Sequence, residues 1–571
     1  MLSYDEAVAR VTAPGQIFEL AQREIGGVQH HVFAHAPPTL RQVFAMMQAR
    51  SDETFLVYED ERWTFGDVTA AIDALAATLV QTYGISPGDR VGIAMRNYPE
   101  WVIAFGAITS IGAISVSFNA WWVAEEMAFA IDDAGLSVLI ADGERVERSA
   151  EACVERGVRV ISVRTQEEVA GVDRWDDVVL SGAPMPEVEV DGEQDATILY
   201  TSGTTGRPKG AVSTHRAIIQ ALMGFACRAA VDKARSKPGQ VASADGGGAV
   251  AADVVSSTSS PPVFILIVPL FHVTGCVPVL LSCVASGIKL VMMYRWDAER
   301  ALELIERERV TQFVGVPTQS WDLLESPRFD DFDTSSMQKI GGGGAPAPEK
   351  LVHRVEDRFT GGGPTIGYGM TETNAYGPQN GGEDYLTHPT STGRGTPILR
   401  IEIRDPDGSV VPVGERGEIW FTGPHLIRGY WNRPDATAET IVDGWLRSGD
   451  IGHVDDEGFV YVEDRAKDMV LRGGENVYSA EVESAIYEHP DVYEAAVYGV
   501  PHERLGEEVA ATVCVREGAS LTEDDLAAFL ADHLAPFKIP SRWSLVEQPL
   551  PRNAAGKMLK TALRDQAAAV D

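Results

Sequence analysis

The run ATILYTSGTTGRPKGAVSTH gathers Thr201, Ser202, Gly203, Thr204, Thr205, Gly206 and Lys209 into one loop between a β-rich stretch and a second short strand. Glycines allow consecutive backbone N–H groups to converge on an anion, the hydroxyls add donors, and the lysine adds a point charge. That is a phosphate cradle. It is neither a Walker A loop nor a dinucleotide GxGxxG, since the glycine and lysine spacings of both are missing.

A second cluster lies near the C-terminus. The tail PFKIPSRWSLVEQPLPRNAAGKMLKTALR carries Lys538, Arg542, Arg552, Lys557, Lys560 and Arg564 against one acid, Glu547. Across all 571 residues, 83 acidic side chains outweigh 48 basic ones, a formal charge of −35. Such a field repels phosphate backbones and anionic membranes, which argues against a nucleic-acid binder. An anionic ligand therefore needs a local basic island, and this tail is the candidate.

These groups need a frame to hold them. The composition, 44 % apolar and 23 % charged, is that of a globular protein large enough for several cores. Thr64 to Tyr83 reads as an amphipathic helix with Thr64 and Asp67 as its capping box. RVGIAM and VLIAD read as strands flanking a helix in PEWVIAFGAITSIG, the βαβ rhythm of a parallel sheet. From Val254 to Ile288 there is no charged residue, but Pro269, His272, Gly275 and Pro278 interrupt the stretch, so it reads as buried strand, loop and helix and not as a membrane span. Residues 233–262, rich in Ala, Gly and Ser, read as a surface insertion. Beyond Gly393 the chain turns to short strands with DG and EG hairpin turns. The fold class expected is α/β: a large multi-lobed N-terminal domain (1–464) of helix-covered parallel sheets plus a short-stranded subdomain, a hinge at 465–468, and a small mobile α+β C-terminal domain (469–571). The five cysteines form no CxxC pair, and neither a signal peptide nor a lipidation motif is evident, which fits the cytoplasm.

Taken in order, YTSGTTGRPKG, PLFHVTG, GYGMTET, WLRSGD, DRAKDMVLRGGENVYSAEVE and PRNAAGKMLK resemble the adenylate-forming superfamily, in particular its acyl-CoA synthetases. The resemblance runs from about Thr64 to Arg564. It implies a carboxylic acid activated by ATP to an acyl adenylate and passed to coenzyme A, with magnesium required. It further implies that the Ser/Thr/Gly loop and Lys209 hold the β- and γ-phosphates. Tyr368 would stack on adenine, with Gly344 and Ala345 on its other face. Thr371 would meet the α-phosphate, Glu372 would ligate magnesium, Asp450 would accept from the ribose hydroxyls, and Arg465 would support ribose or phosphate. Lys557 would bind the reacting carboxylate, and no general base is needed because that carboxylate is already ionised. Lys467 would be the hinge pivot, and Gly473 and Gly474 would let pantetheine approach. Asp464 stands where the family usually has glycine, and Ser479 where proline is common.

The resemblance also makes His272 a gate or wall of the acyl pocket, with Gly275 and Val316 nearby. The apolar segment around it lacks the aspartate that an amino-acid-activating relative would place there, which favours a hydrophobic acid: a fatty acid or a bulkier apolar acid. Trp121, Trp122 and Trp296 are either pocket walls or core. Two rival readings stand beside this one, an acyl-AMP ligase loading a carrier protein and a silent nucleotide-binding homologue. The sequence leaves weak peripheral membrane association and a homodimer open.

Overall fold

The computed structural model describes residues 2–166, 168–201, 208–236, 262–345, 347–359, 362–473, 475–554 and 556–568. Two eight-stranded sheets carry the larger part of the chain. In the first, Asp195–Thr201, Ile114–Ser117, Arg90–Ala94, Val138–Asp142, Arg159–Val163 and Val172–Arg174 run parallel, and the antiparallel strands Lys209–Thr214 and Gly429–Tyr430 extend one edge. In the second, Gly363–Gly367, Lys339–Gly343, Gln312–Gly315, Val263–Leu266, Lys289–Met292 and Thr54–Tyr58 are parallel, with antiparallel Gln379–Gly381 and Glu61–Thr64 at the two edges. Strands such as VLIAD, with every residue buried, are the continuous apolar runs that a doubly covered parallel sheet requires.

Helices fill the space between. Pro99–Ser110 starts on a proline, whose missing N–H costs nothing in the first turn, and is buried at every residue from Trp101 onward. An apolar helix with no polar face must be enclosed, and Trp101 stacks on Phe105 with ring centroids 5.3 Å apart. Phe65–Gln81 opens with the anticipated capping box: Asp67 N–H donates to Thr64 Oγ1 at 3.0 Å and Thr64 N–H to Asp67 Oδ2 at 2.9 Å.

The uncharged stretch contains the strand Val263–Leu266, a loop, and the helical segments Gly275–Leu281 and Ser282–Ser286. The first segment is wound wide, with i→i+5 geometry. Pro278 inside it has no N–H for the ordinary ladder, which accounts for the wider turn. Among the described residues no helix is long and apolar enough to cross a membrane. The insertion expected from Lys233 differs at its start: Lys233–Ser236 belong to the helix His215–Ser236, whose last turn is held where Arg235 bonds both oxygens of Asp384 at 2.6 and 2.9 Å. The rest of that segment, 237–261, lies outside the described residues.

A third sheet of short strands, Arg400–Arg404, Gly417–Thr422, Trp445–Val454, Ile441–Val442 and Val460–Arg465, follows Gly393. The next strand, Val470–Arg472, belongs to a different sheet with Glu475–Val477, Gly506–Val515, Val492–His502 and Arg542–Val546. Helices Ser479–Tyr487 and Glu523–Ala531 cover it, burying Val482, Ile486, Leu526 and Leu530 in a core of its own. Sheet membership thus changes within the four residues 466–469.

Candidate active site

Parallel strands end together, and ligands of α/β sheets gather at their carboxyl ends. Here a cavity of about 1440 Å³ runs past the carboxyl ends of Lys339–Gly343 and Gly363–Gly367 and beneath the helix His215–Ser236. Thr201, Lys209, His272, Gly344, Thr371, Glu372, Asp450, Arg465, Lys467 and Lys557 all line it. Ser202, Gly203, Thr204, Thr205, Gly206 and Gly474 lie outside the described residues. Three expected residues are off the lining. Ala345 and Tyr368 do not reach it, and Gly473 sits in a turn of the C-terminal unit, its N–H bonded to Leu505 O at 2.8 Å. Trp121 and Trp122 line the cavity, whereas Trp296 donates its indole N–H to Asp322 at 2.7 Å away from it.

Lys557 reaches the cavity from the C-terminal unit. Its stem lies on Gly344, where an added Cβ would stand 3.2 Å from Lys557 Cε. Gly344 has φ +75°, a left-handed backbone that glycine adopts without strain. The loop behind the lysine is braced: Lys557 N–H donates to Asn553 Oδ1 at 3.0 Å, Asn553 N–H to Lys557 O at 2.8 Å, and Arg552 to Gly556 O at 2.8 Å. Burial, with Arg465 and Lys467 nearby, lowers the ammonium's pKa to about 8 against the pull of Asp450 and Glu372. Roughly nine in ten such groups are charged at pH 7.

Three of the other basic residues of the tail are paired with acids of their own unit. Lys538 pairs with Glu481, Arg552 with Glu494 at 2.7 Å and Lys560 with Glu483 at 2.6 Å. The expected basic island is therefore largely neutralised inside its own unit, and its contribution to the cavity comes chiefly through Lys557.

Two carboxylates face the lysine. Asp450 accepts a hydrogen bond from the Tyr368 hydroxyl and pairs with Arg465 Nε at 3.2 Å, the two residues being opposite each other on adjacent strands. Tyr368 leans on Phe421, ring centroids 5.6 Å apart, so in this arrangement it props Asp450 and does not lie open for stacking. Glu372, in the short turn Thr371–Thr373, accepts from the Tyr430 hydroxyl at 2.7 Å. The Tyr430 ring in turn lies 4.7 Å from Lys209 Nζ. No motif pointed to Tyr430; the strand pairing of Gly429–Tyr430 with Lys209–Thr214 is what brings it in.

His272 stands where the uncharged loop turns. Burial and Lys557 push its pKa down to about 3, so it is neutral at physiological pH. Thr274 N–H donates to its Nδ1 at 3.3 Å, which assigns the proton to Nε2 and makes the ring a donor. Below it the cavity floor is one face of the second sheet, bare of side chains at Gly341, Gly343, Gly367 and Gly381.

At the change of sheets, the two positions that depart from the resembled family meet. Ser479 N–H donates to Asp464 Oδ2, Arg465 N–H to Asp464 Oδ1 at 2.7 Å, and Ser479 Oγ to Asp468 O at 2.7 Å. Proline at 479 would have no N–H to give. Burial raises the Asp464 carboxyl to about 6, moderated by Lys560 and these two backbone donors.

Residues 43–431 match the AMP-binding enzyme family and residues 481–557 its C-terminal domain. A 3-[(3aS,4S,7aS)-7a-methyl-1,5-dioxo-octahydro-1H-inden-4-yl]propanoyl:CoA ligase of Mycobacterium tuberculosis is 35 % identical over 527 residues, covering 90 % of this chain and 96 % of that one. The long-chain-fatty-acid–CoA ligase FadD13 of the same species is 33 % identical over 515 residues, covering 89 % and 93 %. Among solved structures, ATP-bound MatB from Rhodopseudomonas palustris superposes with a TM-score of 0.79 at 28 % identity, covering 93 % of this chain and 99 % of that one. A Ser/Thr/Gly-rich sequence motif, a cleft at the carboxyl ends of a parallel sheet and a lysine delivered from a C-terminal unit thus coincide with matches along nearly the whole chain, which belongs to the AMP-binding enzyme family.

Proposed function

We propose that this protein is an AMP-forming acid–CoA ligase acting on a hydrophobic carboxylic acid. The observation that carries this reading is Lys557, held in the cavity by the C-terminal unit and facing Asp450 and Glu372 of the body. A carboxylate oxygen of the acid attacks the α-phosphorus of ATP, and the bond to pyrophosphate breaks. Acid and triphosphate repel each other by about 4 kcal/mol per unit charge pair at 4 Å in an effective dielectric near 20. Lys557 binds the carboxylate and Lys209 the outer phosphates, offsetting that repulsion where negative charge develops. Thr371 donates toward the α-phosphate and neutral His272 offers Nε2–H to the acid. Asp450, steadied by Tyr368 and Arg465, accepts from the ribose.

Among the described residues no group of three His, Cys, Asp or Glu could cage a metal. Glu372 alone fits magnesium, which takes one or two carboxylates and fills its octahedron with phosphate oxygens and water. Bound there, the ion would neutralise phosphate charge. In the second half-reaction CoA thiolate attacks the acyl carbonyl and AMP leaves. We assign the pivot for that step to residues 465–468, between the third sheet and the C-terminal one, so that rotation withdraws Lys557 and turns Gly473 toward the cleft.

Supplying candidate acids, ATP, magnesium and CoA and following pyrophosphate and thioester tests the reading. Thioester and AMP are expected in equal amounts. Acyl-AMP accumulating without thioester would point instead to carrier-protein loading, and release with no acid at all would end the proposal.

A further inference from the structure

The body helix Pro317–Glu325 meets the C-terminal unit at both of its ends. At its start, Val316 supports the loop that carries Lys557: a Cβ added to Gly556 would stand 2.9 Å from Val316 Cγ2. At its far end, Asp322 and Glu325 are three residues apart and so share one helical face. The Tyr493 hydroxyl donates to Asp322 Oδ1 at 3.0 Å, and Arg516 Nη1 donates to both oxygens of Glu325 at 2.7 Å.

Each side of this contact is braced within its own unit. On the body, the Trp296 indole N–H holds Asp322 Oδ2 at 2.7 Å and Arg354 holds Glu325 at 3.2 Å. On the C-terminal unit, Arg516 Nε donates to Pro490 O at 3.1 Å, and its guanidinium lies 5.7 Å from the centre of the Tyr493 ring. The Glu325 side chain is 18 % exposed and that of Arg516 33 %, so water and salt screen the pair only in part. From here hydrogen bonds run to the reacting lysine. Glu494, next to Tyr493, accepts from Leu550 N–H and from Arg552, both at 2.7 Å, and Arg552 donates to Gly556 O at 2.8 Å, beside Lys557.

We infer that Asp322 and Glu325 are positioning residues, which clamp the C-terminal unit by Tyr493 and Arg516 and so keep Lys557 in the cavity. Neither carboxylate lines the cavity. Their effect is on which arrangement of the two units is populated, since a contact made in one arrangement alone shifts the equilibrium toward it. The inference rests on the ligase reading and the proposed pivot, and adds the contact that the rotation has to break.

The main variant is Arg516→Glu, which sets like charges against each other at Glu325. It should lower the maximal rate of adenylation about tenfold, leave KM for ATP within about threefold, and let thioester formation from preformed acyl-AMP hold or quicken. Arg516→Lys keeps the charge and should stay within about threefold of wild type. Glu325→Gln serves the same purpose as the reversed charge should that variant melt early. Spin labels at Val154→Cys and Asp524→Cys, both exposed whereas the five native cysteines are buried, report the separation of the units without turnover. Arg516→Glu should move population away from the separation that dominates in the wild type. If no acid releases pyrophosphate, the ligase reading fails, and the label separations still decide the clamp. Equal losses in the two half-reactions, or separations unchanged from wild type, overturn the inference.

Discussion

The cavity has two halves built on opposite plans. One half is crowded with charge: Lys557, Glu372, Asp450, Arg465 and Lys467 converge on it, from the body, the connecting segment and the C-terminal unit. The other is a sheet face with four glycines beneath a single helix, all within the body, where Arg228 and Asp232 of that helix are paired with each other at 2.9 Å. The first half must handle charge that appears and disappears during reaction, so it needs groups that are fixed in chemistry and movable in place. The second must only exclude water and fit a shape, so it can be rigid and is free to vary in width. If that division is real, substitutions in one half should change chemistry and leave acid choice alone, and the converse should hold for the other.

The largest expected effect is at Lys557. Lys557→Ala should slow adenylation by about a hundred- to a thousand-fold, the scale of removing one group that stabilises developing charge. Thioester formation from preformed acyl-AMP should be nearly unchanged; rapid-quench measurement of each half-reaction checks this, and equal losses would erase the contrast between the halves. A pH profile sharpens it. The lysine is charged below its pKa of about 8 and neutral above, so kcat/KM for adenylation should fall roughly tenfold per unit at pH values above that midpoint. Lys557→Arg should move the falling limb to higher pH.

Glu372→Ala comes next. The cavity loses its candidate magnesium carboxylate and the Tyr430 hydroxyl loses its acceptor. The magnesium concentration for half-maximal pyrophosphate release should rise about tenfold, with the order of preference among acids unaltered. An unchanged magnesium titration would remove Glu372 from the metal shell.

These residues of the charged half were named from the sequence because each sits in a contiguous string that resembles a motif of the family. The same reasoning misjudged the basic tail. Counting charges along residues 536–564 could not register Glu481 and Glu494, which lie 57 and 58 residues from Lys538 and Arg552 and neutralise them across the fold. The parallel sheets and the switch to short strands were readable from buried apolar runs and turn residues. The second half was not. Gly341, Thr365 and Gln379 belong to three strands, and only sheet order and register bring them to one face. Tyr430 escaped notice for the same reason, as an antiparallel edge strand made it a neighbour of Lys209.

Gly367→Ala probes that second half with little disturbance. Its φ is not in the left-handed region, and an added Cβ would meet Gln379 Cγ at 3.8 Å, an ordinary contact. One methyl on the floor should raise KM for ring-bearing acids by about three- to tenfold, comparable to other one-methylene discriminations, and leave KM for ATP unchanged. A matched rise for ATP would mean that the two halves are not separate.

The smallest effect tests how the charged half is assembled. Lys557 lies in the cleft with the C-terminal unit docked, and the Asp464–Ser479 contact spans the change of sheets. Ser479→Pro removes the N–H that Asp464 accepts, yet proline suits the first position of the helix Ser479–Tyr487, so the unit itself should fold. A hydrogen bond to a carboxylate is worth about 1.5–3 kcal/mol, part of which water restores when the units separate. Adenylation should therefore slow about two- to tenfold, whereas thioester formation from acyl-AMP, which under the proposed rotation leaves the docked state, should hold or quicken. Ser479→Ala keeps the N–H and loses only the hydroxyl bond to Asp468 O, and it should behave nearly as wild type. If proline and alanine act alike, the backbone donor is not what holds Lys557 in place, and the charged half depends on the remaining contacts between the units.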